Sequence, residues 1–311
     1  MIQVIATTPY TDQKMGTAGL RKKSKVVMQE HYFENFLQSI FNTIDPAGKT
    51  FVVGGDGRFY NSIAIQKLIK MAAANGVKKL IVGQNGFLST PASSNMILKR
   101  RTDGGFVLSA SHNPGGENGD FGIKFATETG GQCSSRVSDR IFAVSQTISE
   151  FKTVDAADID LSRLGTQNLE GMEIEIVDPI SDYVELMEKI FDFELIKKMF
   201  ANGFTMRFDA MNAVTGPYAI RIFEEILGAA KGSVLNAVPK PDFGGLHPDP
   251  NLVYAKELVN IMYADDAPDF GAALSPSAAR YGLCHRGYCL RHSFLYLRGY
   301  FSTVFPGLQP L

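Results

Sequence analysis

The sequence predicts an α/β protein built on a largely parallel sheet. Three observations carry that prediction. Short runs that read as buried strands alternate with segments of helical period along most of the chain. Turn residues separate them at the spacing of βαβ units. The composition is that of a globular domain, 45% apolar and 20% charged over 311 residues, long enough for about two domains at ~150 residues each.

The elements follow in order. Thr50–Gly54 (TFVVG) reads as a buried strand, and Asn61 stands where a cap for the next helix is expected. Ile65, Leu68, Ile69 and Ala72 fall on one helical face, and Gly76 ends the run. Lys79–Val82 is the next strand, Ala92–Arg100 a weaker helix and Gly105–Ser109 a third buried strand. Phe121–Phe125 (FGIKF) is a further strand, in which Lys124 is either an edge lysine or one aimed at a site. Glu150–Asp178 holds eight acidic residues against Lys152 and Arg163 with little periodicity. It reads as a connection, with a domain boundary near its end. Ser181 or Asp182 then caps a helix with Val184, Met187 and Phe191 on one face, closed off by Gly203. Phe204–Phe208 is a strand and Thr215–Leu227 a helix with Pro217 tolerated in its first turn. Ser233–Val238 is another strand. The turn-rich PKPDFGGLHPDPN leads to a helix over Leu252–Tyr263, and Asp269–Ala273 begins a last strand. From Phe270 to Leu311 there is no Asp, Glu or Lys, and the segment keeps no clean period.

Net charge is −1, so no global field recruits nucleic acid or an anionic membrane surface. No run approaches the ~18 apolar residues of a membrane span, and MIQVIATTPYTDQK has no secretory pattern. The three cysteines fit a reducing, cytoplasmic setting.

The segment of greatest chemical interest is GFVLSASHNPGGENGDFGIKF, Gly105 to Phe125. A loop at the carboxyl end of an α/β strand is where such sheets place ligands. Asn113-Pro114-Gly115-Gly116 forces a turn, and glycines let backbone N–H groups converge on an anion. Ser109 or Ser111 would be exposed there as a nucleophile, with His112 placed to move a proton. The plain alternative is a structural turn whose Ser and Asn satisfy backbone groups. The Gly-x-Ser-x-Gly elbow of hydrolases is missing. Arg21, in TAGLRKK, is a candidate phosphate or carboxylate clamp, against the alternative of a solvated basic run. Gly54-Gly55-Asp56-Gly57-Arg58 is a glycine turn able to approach a phosphate, but it lacks the Gly-Lys-Ser/Thr of a P-loop. Cys284, His285, Cys289 and His292 match zinc-ligand spacing poorly.

TAGLRK, GGDGR, SASHNPGG–NGDFGIK, DAMNAVTGPY and PDFGGLHPDPNL occur in one order, and together they resemble the phosphoglucomutases of the phosphohexomutase superfamily. The eukaryotic enzymes and their parafusin branch look closest, and the resemblance covers about Gln3 to Ala273. It implies two similar three-layer α/β/α domains with mixed sheets, the second incomplete: domain I at 1–178, part of domain II at 179–273 and an out-of-family, poorly ordered tail at 274–311. It implies interconversion of glucose 1-phosphate and glucose 6-phosphate through a phosphoserine, glucose 1,6-bisphosphate and Mg²⁺. Ser111 matches the phosphoserine, which also meets the metal through its phosphate, and His112 matches its neighbour, a proton acceptor. Arg21 matches the phosphate-contacting arginine and Lys124 the lysine of the cleft. A hexose phosphate is the implied partner, in the cytoplasm.

Two departures stand out. Ala18 replaces a serine usual in the family. After Pro268-Asp269-Phe270-Gly271-Ala272-Ala273 the family has an Asp-Gly-Asp-Gly-Asp-Arg loop whose aspartates bind Mg²⁺; this chain reads Leu274-Ser275-Pro276-Ser277, and the family's third and fourth domains are expected to be absent. The chain is therefore expected to be inactive alone, or to serve as a non-catalytic, parafusin-like scaffold. The break in composition at Leu274 is the pattern expected of a changed reading frame or exon. The second sheet is expected to be left with an uncovered edge.

Overall fold

The computed structural model describes residues 1–16, 19–276, 281–285 and 288–292, with backbone alone at 285 and 288–292. Its strands are β1 (Ile2–Ala6), β2 (Leu20–Lys23), β3 (Thr50–Gly55), β4 (Lys79–Phe87), β5 (Gly104–Leu108), β6 (Asp120–Thr127), β7 (Glu150–Val154), β8 (Gly165–Leu169), β9 (Met172–Val177), β10 (Met206–Asp209), β11 (Val234–Leu235), β12 (Phe270–Leu274), β13 (Tyr281–His285) and β14 (Tyr288–His292).

Seven of them form one sheet in the order β2-β6-β5-β3-β4-β9-β8. The centre is parallel: β3 pairs with β4 and β5, and β4 with β9. The flanks are antiparallel, at β2–β6, β5–β6 and β8–β9. The sheet is thus mixed, where strand–helix alternation alone had pointed to a parallel one. Its centre is buried on both faces, which explains the apolar runs. Phe51, Val53, Leu80, Val82, Phe106 and Leu108 meet the helices Tyr32–Ile44 and Asn61–Ala74. The alternating residues Val52 and Ile81 meet the helix Thr90–Arg100 on the other side. Helix Ser181–Ile190 packs on that last helix, with Lys99 Nζ 2.7 Å from Asp182 Oδ1. β1 and β7 form a separate antiparallel ribbon.

The second sheet runs β11-β10-β12-β13-β14. β10 is parallel to β11 and β12, and β12–β13–β14 are antiparallel. Met206, Phe208 and Ala272 face the segment around Ala219 and Phe223; Met211, Ala273 and Met262 pack on the other side. Two three-layer α/β/α units with mixed sheets result.

Three expectations change. Glu150–Asp178 is not a bare connection but holds β7, β8 and β9. In β9 the period is present, with Met172, Ile174 and Ile176 inward while Glu173 and Glu175 reach Lys79 at 2.8 and 2.7 Å. The edge of β12 is not left open, because β13 pairs with it from Leu274↔Tyr281 to Phe270↔His285. The helix expected over Thr215–Leu227 is α-helical only to Ala219, then π-helical over Ile220–Ile226. The remaining tail and Ala18 lie outside the described residues. Cys284 is disulfide-bonded, which removes its thiolate from a zinc reading, and the side chains at 285, 289 and 292 are not described.

Candidate functional site

The site forms where β5 runs out of the seven-stranded sheet into Ser109-Ala110-Ser111-His112-Asn113. Ser111 sits in the left-handed region at φ 57°, a conformation that costs a serine about 1–2 kcal/mol. The surroundings enforce it. Ser109 Oγ donates to Asp56 Oδ2 at 2.5 Å and accepts from the Ser111 amide at 2.9 Å. Arg58 Nη2 donates to the Ser111 carbonyl at 2.8 Å, and Arg58 Nη1 to the Asp120 carbonyl at 2.7 Å. Arg58 in turn is locked on Asp56, with Nε and Nη2 both 2.9 Å from a carboxylate oxygen. Each of the two is 1% exposed.

This resolves the role of the GGDGR turn. Arg58 is not a free phosphate clamp; its guanidinium is buried against Asp56 and spends its donors on the backbone carbonyls of Ser111, Asp120 and Asn113. Gly57, at φ 78°, makes the reversal that lets Asp56 and Arg58 point the same way into the protein. The hydroxyl of Ser109 is spent between Asp56 and the Ser111 amide. The hydroxyl of Ser111 faces cations instead: Arg21 Nη2 donates to Oγ at 2.9 Å and Lys124 Nζ at 3.2 Å.

Sheet geometry brings those cations together. Arg21 on β2 lies opposite Gly122 on β6, and Lys124 is two residues further along β6. Side chains alternate along a strand, so Arg21 and Lys124 share a face while Leu20, Phe121, Ile123 and Phe125 enter the core on the other. Lys124 is therefore no edge lysine: β6 lies between β2 and β5, and the side chain is 5% exposed. Two glycines make the approach possible. A Cβ on Gly122 would lie 2.3 Å from the Ser109 carbonyl, and one on Gly19 (φ 90°) 2.3 Å from that of Ile123. Burial pushes the Lys124 amine down to about 8; nearby Arg21 and Arg58 act in the same direction, against Asp56. Its stem also lines a hollow of about 330 Å³ with Gly19, Phe125, Gln132, Cys133 and Ser135.

His112 is the next residue of the turn and half-buried. Asn113 Nδ2 donates to Asp120 Oδ2 at 2.9 Å, and the Asp120 amide returns to the Pro114 carbonyl at 2.9 Å, closing the loop. Sequence reasoning offered Ser109 only as an alternative nucleophile and Asp56 and Arg58 only as part of a glycine turn able to approach a phosphate; it did not foresee that the three hold the Ser111 turn in place. The signal available was an Asp-Gly-Arg turn directly after a fully apolar strand.

The donors around Ser111 do not make a magnesium site. Mg²⁺ takes hard oxygen ligands in octahedral array. Asp56 is committed to Arg58 and Ser109, and Asp120 to Asn113 and to Lys23 at 2.9 Å. Among the described residues no group of three His, Cys, Asp or Glu is placed to hold a metal. Nor is any of their helices long and apolar enough to cross a membrane.

Residues 12–152 match the family model "Phosphoglucomutase/phosphomannomutase, alpha/beta/alpha domain I". The chain is 56% identical over 274 residues to a phosphoglucomutase of Rhizobium radiobacter, spanning 88% of this chain and 51% of that protein. It is 49% identical over 296 residues to a cytoplasmic phosphoglucomutase of Populus tremula, spanning 89% and 51%, and 51% identical over 276 residues to a chloroplastic one of Brassica napus, spanning 88% and 44%. The chain thus spans about half the length of the curated relatives it matches. The open form of Paramecium pp63/parafusin, a phosphoglucomutase, superposes with a TM-score of 0.89 at 43% identity, covering 93% of this chain and 55% of that one. A Thermus thermophilus phosphomannomutase homologue at 21% identity and a TM-score of 0.69 shares the fold.

Proposed function

Because the chain belongs to the phosphoglucomutase/phosphomannomutase family, we propose that it carries the phosphoryl-bearing part of a glucose-phosphate mutase, with Ser111 Oγ as the atom that holds the phosphate. One observation carries the reading. A hydroxyl is held in a left-handed turn with two cationic donors on it, 2.9 and 3.2 Å away. Phosphoryl transfer needs in-line positioning and positive charge around the transferring group more than covalent assistance. Arg21 supplies a permanent charge. Lys124, with its amine near 8, is mostly protonated at pH 7 and supplies a second charge.

In this proposal phospho-Ser111 gives its phosphoryl group to the free hydroxyl of glucose 1-phosphate or glucose 6-phosphate. The P–Oγ bond breaks, the new P–O bond forms on the sugar, and the hydroxyl proton leaves to a base. Glucose 1,6-bisphosphate then turns over and returns its other phosphoryl group to Ser111, whose proton passes to His112. When bound, Mg²⁺ would neutralise phosphate charge; Leu274-Ser275-Pro276-Ser277 offers no carboxylate for it, so no step is routed through it here.

Intact-mass analysis after incubation with glucose 1,6-bisphosphate tests the reading. The wild type should gain one phosphoryl group, on Ser111, and release a glucose monophosphate. Absence of uptake, or the same uptake by Ser111→Ala, overturns it. Steady interconversion by this chain is expected to be weak, since the family's aspartate loop is replaced.

A further inference from the structure

We propose that the loop of residues 239–245, carried by the second unit, sets the position of the Ser111 turn, with Pro241 and Phe243 as positioning residues. The proposal rests on Ser111 as the phosphate carrier and extends the site to a segment with no atom on the serine hydroxyl.

The Pro241 carbonyl accepts from two separate parts of the site at once. The Phe59 amide, at the end of the Asp56–Arg58 turn, donates to it at 2.8 Å, and the Gly116 amide, in the Asn-Pro-Gly-Gly turn, at 3.1 Å. Two residues on, Phe243 is completely buried. Its ring stacks on the Arg58 guanidinium at 5.2 Å, inside cation–π range. Arg58 is the side chain that holds the Ser111 carbonyl at 2.8 Å, so Phe243 stands one contact from the Ser111 backbone. The ring also occupies the place of a side chain on Gly115: a Cβ there would lie 2.8 Å from Phe243 Cδ2 and 2.8 Å from the Pro241 carbonyl. This gives Gly115 a physical reason that the turn alone does not, namely to admit this loop.

The loop is itself anchored. Phe243 (φ 55°) and Gly244 (φ 71°) turn back on themselves, with Asp242 Oδ1 accepting from the Gly244 amide at 3.0 Å. The Lys240 amide donates to the Asn212 carbonyl at 2.9 Å, and Asn212 Nδ2 to the Val238 carbonyl at 3.1 Å. Asn212 ends the tight turn after β10, where Met211 and Asn212 both have φ 52°. A continuous chain of contacts therefore links the carboxyl end of β10 to Arg58 and Gly116, and through them to Ser111. It gives DAMNAVTGPY and PDFGGLHPDPNL a packing role at the serine turn.

Three variants test it at a temperature where all are folded: Phe243→Leu, which removes the ring, Phe243→Tyr, which keeps it, and Ile174→Ala, which costs core packing far from the turn. Phosphate uptake from glucose 1,6-bisphosphate should slow about tenfold in Phe243→Leu, stay within about twofold of wild type in Phe243→Tyr and be unchanged in Ile174→Ala. In the same samples, amide exchange at Gly116 should speed about tenfold in Phe243→Leu alone. An uptake rate in Phe243→Leu equal to that of Ile174→Ala overturns the proposal. If the wild type takes up no phosphate, the functional reading fails by itself. The exchange measurement then decides the positioning claim: unchanged Gly116 exchange in Phe243→Leu rejects it.

Discussion

Lys124→Met should make the unphosphorylated protein more stable at pH 7 while removing its ability to take phosphate. The side chain is 5% exposed, so the charge on Lys124 is held against burial with little solvent screening. Its amine falls from 10.5 to about 8. At 1.36 kcal/mol per pH unit this corresponds to about 3 kcal/mol of penalty for keeping the ammonium in the folded state. Methionine has similar length, no charge and flexible packing, so it fills the same space. It forfeits the contact to Ser111 Oγ, worth about 1 kcal/mol, while Arg21 still serves that oxygen. The net expectation is a gain of about 2 kcal/mol.

The pH dependence follows from proton counting. The folded amine is lowered, so between about pH 8 and 10.5 the unfolded chain binds more protons than the folded one. The destabilisation is complete below about pH 8 and is relieved as pH rises toward 10.5. The difference in urea stability between variant and wild type should therefore be largest at pH 7 and shrink by pH 10. Phosphate uptake should fall about 100-fold, since one preorganised cation at the transferring group is lost. A variant no more stable than wild type at pH 7, or a difference that does not change with pH, would refute the account of Lys124 as a charge held at a cost.

Asp56→Asn leaves the Arg58 guanidinium buried without its partner and should cost about 3–5 kcal/mol in urea denaturation. Gly122→Ala places a methyl 2.3 Å from the Ser109 carbonyl. It should lower stability by about 1–3 kcal/mol and slow phosphate uptake, read by thermal unfolding and intact mass. Arg21→Lys keeps the charge on β2 but loses the planar fork; uptake should fall at least about tenfold, with a melting temperature within a few degrees of wild type.

The sheet was legible wherever burial made the sequence apolar. Val52 and Val53 face opposite cores, and both had to be hydrophobic. β9 was hidden for the opposite reason. Its outward positions are Glu173 and Glu175, paired with Lys79, and in an acidic stretch their charge masks the inward Met172, Ile174 and Ile176. β7 pairs with β1 across most of the first unit, and no local pattern announces such a partner. At the site, resemblance singled out Ser111, Arg21 and Lys124, and the register of β2 on β6 is what brings their atoms together. The inward role of Arg58 was not legible, because a guanidinium after a glycine turn looks the same whether it points to solvent or inward. The decision lies with Asp56 two residues earlier and with Phe243, nearly two hundred positions away in sequence, and neither contact leaves a periodic trace.

With Ser111 as the proposed phosphate carrier, the charges around it bear on which state of the turn is favoured. In the bare state Arg21 and Lys124 converge on one neutral hydroxyl, with Arg58 behind it. The nearby carboxylate, Asp56, is turned away and neutralised by Arg58. Burial, above all, lowers the Lys124 amine, with Arg21 and Arg58 acting in the same direction and Asp56 against it. A dianionic phosphoryl group on Ser111 changes that balance. It gives Arg21 a charged acceptor and favours the protonated form of Lys124. The left-handed serine, the buried Asp56–Arg58 pair and the depressed lysine are costs when Ser111 is bare. They become preorganisation when it is phosphorylated, which is why a stabilising substitution such as Lys124→Met is expected at this turn and why it should be incompatible with carrying phosphate.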